Sequence, residues 1–231
     1  MTLNEILTQI LVRLREDSSS PVYFTAAEVA AAVNTSQRLF VFLTMCLEGT
    51  APLTISSASR VYRPLQTLGD WMQPLELRMA SNGGKLRPAR LEEFDAERSD
   101  WETVANEPPD AYCCLGFDYI VLNRTPTETA TVNLIYSRCP TLLSSGGAVP
   151  EIPTEHHQQL VDAGIVFTRL KEGAQEFSKE LPRLDRFLAA AGQLAAHVRA
   201  RNIEMGYDRL PPELDRVDLS KIARQMAKGA K

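Results

Sequence analysis

Several features that define large classes of protein are missing from this sequence. No stretch of its 231 residues approaches the roughly 20 consecutive apolar residues that a membrane-spanning helix requires. The first residues, Met1-Thr2-Leu3-Asn4-Glu5, lack the basic region of a secretory signal, so we expect no cleaved leader. The formal net charge of −4 argues against a protein that binds nucleic acid over its whole surface. These absences predict a soluble globular chain of one sizeable domain or two small ones.

Cysteine is scarce and poorly placed for a metal site. The four cysteines are Cys46, Cys113, Cys114 and Cys139, and no two of them form a CxxC pair. Cys113 and Cys114 are neighbours, so in a strand their side chains point to opposite faces of the sheet. A zinc site could form only if distant parts of the chain came together, and we expect buried, reduced thiols in a cytosolic product.

Sequence motifs for catalysis are also missing, since the chain contains no GxSxG, GxxxxGK[ST] or GxGxxG pattern. The segment Asn82-Gly83-Gly84-Lys85 follows a predicted strand but opens no helix, so a hairpin turn fits it better than a phosphate-binding loop. Trp71 and Trp101 could stack on a base or a sugar, but core packing is the simpler role for each. The acidic cluster at residues 92–97 is best explained as a solvated helix face.

The adjacent histidines His156 and His157 form the most visible candidate site. Thr154 is expected to cap the helix that contains them, with Glu155 in its first turn. Consecutive residues on a helix point about 100° apart, and a helical zinc pair needs the i,i+4 position that Leu160 occupies here. We therefore expect two solvated first-turn histidines, and we predict no catalytic residue, no metal site and no cofactor.

The N-terminal part of the chain predicts two antiparallel helices. Each begins with a capping box, Thr2-Leu3-Asn4-Glu5 in the first and Thr25-Ala26-Ala27-Glu28 in the second, and Phe24 can staple onto Val29. Apolar stripes with helical spacing follow, formed by Leu3, Leu7, Ile10 and Leu14, then by Val29, Val33, Ser36, Phe40, Leu43 and Leu47. We expect the second helix to continue to Glu48, with Gly49 in the left-handed C-terminal conformation.

From Thr50 the periodicity changes to that of short strands. Strands are predicted at residues 53–55, 60–62, 75–79, 112–115, 119–122 and 129–137. In the last of these, apolar residues from Ala130 to Tyr136 alternate with polar ones, as burial of one face requires. A turn is expected at Gly116, and an antiparallel meander is the simplest assembly.

Helical periodicity returns after residues 144–147. One helix is predicted from about Glu155 to Leu170, and Pro182 should bend the next helix or mark its true start. The stripe of that longer helix consists of Phe177, Leu181, Leu184, Leu188, Ala191, Ala195 and Val198. The predicted fold class is α+β, with a four-helix-type bundle, an inserted antiparallel β-domain and an extended C-terminal arm. The predicted boundaries are 1–49 for the N-terminal helical hairpin, 50–145 for the β-domain, 150–205 for the C-terminal helices and 206–231 for the arm.

The end of the chain predicts an extended arm with an amphipathic tip. Pro211-Pro212 prevent a helix from continuing, and about 25 extended residues could span on the order of 80 Å. Two stripes with helical spacing follow. The apolar stripe consists of Leu219, Ile222 and Met226, and the basic stripe consists of Lys221, Arg224, Lys228 and Lys231. Because so short a helix is marginal in water, we expect it to fold on a partner with its apolar stripe in a groove. A disordered solubilising tail is the alternative.

Between Lys85 and Ala163, characteristic residues follow one another in the order that is typical of one protein family. They are Lys85-Leu86-Arg87-Pro88, Leu91, Trp101, Pro108-Pro109, Tyr112, Gly116, Ile120-Val121-Leu122, Pro126, Val132-Asn133-Leu134-Ile135-Tyr136, Pro140, Pro153, Leu160-Val161 and Ala163. Because of this order, the chain resembles the head-to-tail adaptor (connector) proteins of tailed bacteriophages. The resemblance extends from the paired N-terminal helices to about residue 205. Two positions depart from the pattern, since Asn106-Glu107 stands where glycine is common and Asn123 where proline often ends the strand.

The resemblance implies a structural virion protein at the neck, below the portal vertex, that is made and assembled in the host cytoplasm and is not an enzyme. Such proteins form a ring, expected to have twelve copies, which extends the portal channel and offers a platform to tail or nozzle proteins. DNA passes through the channel without sequence-specific binding, and no membrane is involved. In these proteins the helical bundle makes the ring, and the C-terminal segment embraces the portal.

Applied to this chain, the resemblance assigns portal docking to the C-terminal arm. The predicted docking residues are Tyr207, Leu210, Leu214, Val217, Leu219, Lys221, Ile222, Arg224, Met226 and Lys228. The alternative hypothesis is a nucleic-acid-binding accessory protein that acts through the basic C-terminal residues. A hydrolase is disfavoured, because the sequence offers no convergent nucleophile, base and orienting group.

Overall fold

The structure is a computed structural model that describes residues 1–17, 19–103 and 107–213. The helices of these residues are α1 (Leu3–Arg13), α2 (Ala26–Thr44), α3 (Pro64–Thr67), α4 (Leu91–Glu97), α5 (His157–Arg169), α6 (Ala174–Lys179) and α7 (Leu181–Met205). The strands are β1 (Glu48–Ile55), β2 (Val61–Tyr62), β3 (Trp71–Met79), β4 (Arg87–Pro88), β5 (Ala111–Leu115), β6 (Tyr119–Leu122) and β7 (Ala130–Arg138). This mixture of helix and sheet confirms the α+β class.

The described residues divide into two compact units. The helical unit contains Met1–Leu47 and Pro140–Arg201, together with residues 211–213. The β unit contains Glu48–Cys139 and also Asn202–Leu210, so the last turn of α7 and the residues after it belong to the β unit. None of the described helices is long and apolar enough to cross a membrane.

Both N-terminal helices begin where the capping boxes predict. The Thr2 hydroxyl accepts a hydrogen bond from the Glu5 amide, and the Glu5 carboxylate accepts one from the Thr2 amide. Thr25 and Glu28 make the same reciprocal pair at the start of α2. Backbone amides that the helix itself cannot satisfy are thereby paired, which fixes each start from local sequence alone.

The second helix ends earlier than predicted, so the role assigned to Gly49 is wrong. The helix stops at Thr44, and Met45 adopts the left-handed conformation with φ of 51°. Gly49 lies instead in β1, paired with Tyr136, and a Cβ atom there would come within 2.7 Å of the Tyr136 ring. This glycine is required by a close tertiary contact and not by a helix end.

The core of the helical unit joins α1, α2, α5 and α7. Phe40 of α2 and Phe187 of α7 are fully buried and pack edge to face, with ring centroids 5.5 Å apart. Gly164 of α5 allows α1 to approach closely, since a Cβ atom there would lie 2.6 Å from Ile10 Cδ1. The predicted α7 stripe missed Phe187, and its first members are only half-buried. Pro182 lies in the first turn of α7 and so marks the helix start.

A buried carboxylate connects three of these helices. Asp162 of α5 is 8% exposed and lies 3.4 Å from Arg13 of α1, 3.1 Å from Arg183 of α7 and 3.1 Å from Arg186 of α7. Charged side chains are rarely buried unless they are paired, and here one carboxylate serves three guanidinium groups. The arrangement fixes the lateral positions of α1 and α7 against α5.

The β unit contains two sheets and not the single meander predicted. In the first sheet β7 is the central strand, antiparallel to both β1 and β3. The second sheet has the order β2-β6-β5-β4, in which β4 and β5 are parallel. The β5–β6 hairpin with its turn at Gly116 is as predicted. Alternation along a strand defines its two faces, but it does not define which distant strand it pairs with.

Two apolar layers hold the β unit together. The layer between the sheets consists of Ile55, Trp71, Leu77, Leu86, Tyr112, Ile120, Leu122, Val132, Leu134 and Tyr136. The second layer packs α4 against the opposite face of the four-stranded sheet and consists of Phe94, Trp101, Ala111, Cys113 and Val121. Cys113 and Cys114 therefore face different layers, as predicted, and the packing role of Trp71 and Trp101 is confirmed.

Asn123, one of the two departures from the family pattern, ties together the ends of neighbouring segments. Its side-chain oxygen accepts hydrogen bonds from the backbone amides of Asp110 at 3.3 Å and Ala111 at 3.2 Å. Its amide nitrogen donates to the Asp110 carboxylate at 2.5 Å. A proline at this position would supply none of these bonds. In the other departure, Asn106-Glu107, Asn106 lies outside the described residues, and the Glu107 amide donates to the Thr125 carbonyl at 3.1 Å.

Candidate functional site

His157 is buried, so the prediction of two solvated histidines is wrong. Its side chain is 1% exposed, with Nδ1 2.8 Å from the Met1 ammonium nitrogen and Nε2 3.1 Å from the Ile152 carbonyl oxygen. An ammonium group can only donate, so Nδ1 accepts and Nε2 carries the proton. Burial lowers the pKa of His157, which favours this neutral form. Its neighbour His156 is half-buried against the Phe40 ring.

Thr154 does not have the capping role predicted for it. Residues Thr154–His156 form a 3₁₀ turn that follows Pro153, and no side chain caps it. The α-helix begins only at His157, which leaves Glu155 in the preceding turn. Because both His157 ring nitrogens bond within the protein, the histidine pair acts as a packing element.

The other candidates from the sequence also have structural roles. Residues 82–85 form a hairpin turn, in which the Gly83 amide donates to the Met79 carbonyl at 2.9 Å and Gly83 has φ of 69°. In α4, Glu93 and Glu97 pair with Arg87, so the acidic face is partly neutralised. Within the described ranges no group of three or more His, Cys, Asp or Glu side chains could hold a metal ion.

The four cysteines all lie within the described residues, and no disulfide joins them. Cys113 alone among them is fully buried, while Cys46, Cys114 and Cys139 are half-buried, which corrects the expectation of uniformly buried thiols. Burial raises the pKa of both Cys113 and Cys114, so their reactivity as nucleophiles is low.

The structure describes two of the predicted docking residues, Tyr207 and Leu210. The others, which lie outside the described residues, are Leu214, Val217, Leu219, Lys221, Ile222, Arg224, Met226 and Lys228. Tyr207 is half-buried, and its hydroxyl donates to the Glu48 carboxylate at 3.4 Å. Leu210 is 36% exposed. The first residues of the predicted arm are therefore part of the β unit.

Gly206 reverses the chain at the end of α7. Its φ is 70°, its amide donates to the Ile203 carbonyl at 3.0 Å, and the Tyr207 amide donates to the Asn202 carbonyl at 2.9 Å. Glycine suits this left-handed position because it has no Cβ atom. The fully buried Asn202 then donates from its side chain to the Arg209 carbonyl at 3.4 Å, which holds the returning segment against the helix end.

Asp208 fixes the returning segment to the β unit. Its backbone amide donates to the Leu75 carbonyl at 2.9 Å. Its carboxylate accepts a hydrogen bond from the Tyr112 hydroxyl at 2.9 Å and pairs with the Lys85 ammonium at 2.7 Å. The Lys85 ammonium also donates to the Gly206 carbonyl. The Asp208 side chain is only 6% exposed, so these bonds replace nearly all of its contact with water.

A second buried carboxylate, Glu76 of β3, completes this cluster. Its side chain is 2% exposed, pairs with Arg78 and lies 3.6 Å from the Lys85 ammonium. Glu76 is buried although it lies between the apolar residues Leu75 and Leu77 of β3. We call the four residues Glu76, Lys85, Tyr112 and Asp208 the Asp208 anchor. Burial and the Asp208 charge raise the pKa of the Tyr112 hydroxyl, which therefore remains a hydrogen-bond donor.

The Asp208 anchor could not be found from sequence spacing. The sequence places Lys85 in a predicted turn and Tyr112 in a predicted strand, both within the family pattern, and it indicates no role for Asp208. The three residues come from a hairpin turn, the strand β5 and the segment after α7, which are distant in sequence. The only local signal is the polar run Tyr207-Asp208-Arg209 between a glycine and two prolines.

Comparison with known proteins provides the family. The model of the SU10 adaptor protein family matches residues 1–213, which includes both units and the whole Asp208 anchor. No curated protein matches the chain. The matched range ends at Glu213, so residues 214–231 lie beyond it. The chain belongs to the SU10 adaptor protein family, and it is a structural adaptor protein of a bacteriophage.

Proposed function

We propose that this adaptor forms a ring beneath the phage portal, where it extends the DNA channel and provides the attachment platform for tail or nozzle proteins. The observation that carries the proposal is the family match over residues 1–213. The proposed ring has twelve copies and lies in the neck of the virion, and DNA passes through it without sequence-specific binding. Assembly takes place in the host cytoplasm.

In this proposal the helical unit supplies the contacts between copies, with α1, α2, α5 and α7 as its four-helix-type bundle. Large apolar side chains are exposed on its N-terminal part, at Val12, Val22, Tyr23 and Phe42. Burial of such a side chain contributes roughly 1.5–3 kcal/mol, so association of copies would stabilise them. The exposed side chains support the proposal because contacts between copies would remove them from water.

The portal contact is proposed for the segment after Glu213. Its apolar stripe is Leu219, Ile222 and Met226, with Leu214 and Val217 before it. Residues 214–231 contain five basic and two acidic side chains, so an apolar groove with an acidic rim fits this segment. Lys221, Arg224 and Lys228 are proposed to pair with that rim, while Tyr207 and Leu210 form the root of the segment.

Two experiments test this function. Electron microscopy of purified particles should place the chain at the portal vertex, and its absence from mature virions would refute the proposal. A chain ending at Glu213 should keep its far-ultraviolet circular dichroism spectrum and lose portal binding. As a control, replacing the last residues by a glycine–serine segment of equal length should also fail to bind.

The alternative of nucleic-acid binding is favoured only by the basic C-terminal residues. It predicts that the full chain binds DNA with an affinity that falls steeply as salt rises. Replacing Lys221, Arg224, Lys228 and Lys231 by alanine should then remove DNA binding. Portal binding that survives these four substitutions, combined with a loss of DNA binding, would support the alternative.

A further inference from the structure

The turn of the β5–β6 hairpin presents an aromatic ring to water on a fixed backbone. Phe117 lies in this turn, and its side chain is 85% exposed. Its backbone carbonyl accepts a hydrogen bond from Trp71 Nε1 at 2.8 Å. The next residue, Asp118, is buried, and its carboxylate accepts bonds from Arg63 Nε at 2.9 Å and from the Leu65 amide at 2.8 Å. Side-chain hydrogen bonds therefore fix the turn, although the Phe117 ring itself remains in water.

A cavity of about 220 Å³, here called the tip cavity, opens beside this ring within the β unit. The residues that line it include Trp71, Met72, Pro74, Phe117, Tyr119 and Arg209. Pockets that hold drug-sized ligands have volumes of roughly 300–1,000 Å³. The smaller volume and the mainly apolar walls fit one large apolar side chain of another protein better than a cofactor.

The guanidinium group of Arg209 determines which charge the occupant of the tip cavity should carry. Arg209 is exposed and lies beside the Cys114 thiol. The carboxylate of its neighbour Asp208 is engaged by Lys85 and Tyr112, and no carboxylate in the described part of the chain forms an ion pair with Arg209. Because a guanidinium group pairs well with a planar carboxylate, the complementary charge is negative.

We propose that the tip cavity is the docking site for a tail or nozzle protein, which inserts a large apolar side chain into the cavity and places a carboxylate on Arg209. This inference rests on the proposed function as a tail attachment platform, and it assigns that contact to the β unit. Aromatic and arginine side chains at a pocket often dominate the energy of an interface. Because hydrogen bonds already fix the turn that carries Phe117, docking requires little further ordering of the chain.

The symmetry of this surface disfavours a second copy of the chain as the occupant. Phe117, the most exposed apolar group here, lines the cavity itself, so the projecting ring and the cavity belong to one surface. Two copies that met through this one surface would be related by a two-fold axis and would form a closed pair. The proposed ring requires head-to-tail contacts between two different surfaces. A partner of different sequence therefore fits the tip cavity better.

The test measures how tightly tails purified from the phage bind to the immobilised full chain. Phe117→Ser should weaken tail binding by about 30-fold, which is the typical loss when a dominant aromatic side chain is removed from an interface. Val61→Ser is the matched control, because Val61 is an exposed apolar residue of the β unit that does not line the cavity. The control should bind tails as the parent does, and both variants should keep the urea midpoint of the parent.

The charge requirement is tested separately with Arg209→Gln. Because Arg209 is exposed, loss of its ion pair should weaken tail binding by only about 2- to 5-fold at low salt. The difference from the parent should vanish at about 1 M salt, where the Debye length is about 3 Å. Arg90→Gln is the control, since Arg90 is exposed in the same unit and does not line the cavity. An Arg209→Gln variant that binds like the parent at low salt would contradict the carboxylate contact.

Self-association of each variant, measured by analytical ultracentrifugation, separates the possible partners. If the parent chain does not bind tails, the proposed function as a tail platform fails. If the parent binds tails and Phe117→Ser binds them equally tightly, the docking site alone is overturned. A loss of self-association by Phe117→Ser would show that a second copy occupies the cavity, which also overturns the proposal. Should Phe117→Ser fail to fold, Tyr119→Ser replaces it; weaker tail binding is expected, and an unchanged affinity would refute the docking site.

Discussion

The buried Asp162 offers the sharpest test of how the helical unit is held together. In the variant Asp162→Asn the side chain keeps its shape and loses its charge, which leaves Arg13, Arg183 and Arg186 without their shared carboxylate. Removing one partner of a buried ion pair costs about 3–5 kcal/mol. The three arginine side chains are 37%, 31% and 57% exposed, so water screens part of the interaction. We therefore expect a loss near the lower limit, about 3 kcal/mol in the free energy of unfolding.

Urea denaturation followed by circular dichroism at 222 nm measures this loss. Asp185→Asn serves as the control, because Asp185 is exposed on α7 and its replacement should change stability by less than about 0.5 kcal/mol. A double-mutant cycle should show stronger coupling of Asp162 to Arg183 than to the more exposed Arg186. A loss below about 1 kcal/mol for Asp162→Asn would refute the view that this carboxylate holds the three helices together.

Three further predictions concern the places where the structure departs from the sequence patterns. Gly49→Ala should destabilise the protein by about 1–3 kcal/mol in urea denaturation, because the new methyl group would overlap the Tyr136 ring. Adding Tyr136→Leu to the same chain should remove most of that loss. The pKa of His157 is lowered in the folded protein, so the unfolded chain binds more protons at low pH. The free energy of unfolding should therefore fall as the pH drops below about 6.5. Thermal melts of His157→Gln should lack this pH dependence. Asn123→Ala should cost about 1–3 kcal/mol in urea denaturation, since it leaves the Ala111 amide without its acceptor, whereas an unchanged midpoint would show that water replaces the bond.

Two kinds of local sequence signal were reliable, the capping boxes and the glycine turn of a hairpin. The capping boxes at Thr2 and Thr25 involve residues three positions apart, and the structure contains both pairs. The β5–β6 hairpin depends on one glycine turn and was also correct. In each case the stabilising partner lies within a few residues, so the sequence alone defines the geometry.

The candidate site was predicted less well, because its residues meet only in the folded chain. The extended arm from residue 206 stays a prediction, whereas the family resemblance was confirmed by the match over residues 1–213. No local pattern predicted the burial of the Asp208 and Glu76 side chains, since a carboxylate is ordinarily exposed unless a partner is present. Their partner Lys85 lies in a hairpin turn that looked important only as a turn.

The sequence by itself determined the starts of α1 and α2, most strands, the α+β class and the family. Tertiary structure decided the end of α2, the order of the two sheets, the burial of His157 and the attachment of Asp208. The physical reason is the range of the interactions. Caps, turns and amphipathic periods are satisfied by neighbours along the chain, whereas strand partners and buried charges are satisfied by residues that only folding brings within hydrogen-bonding distance.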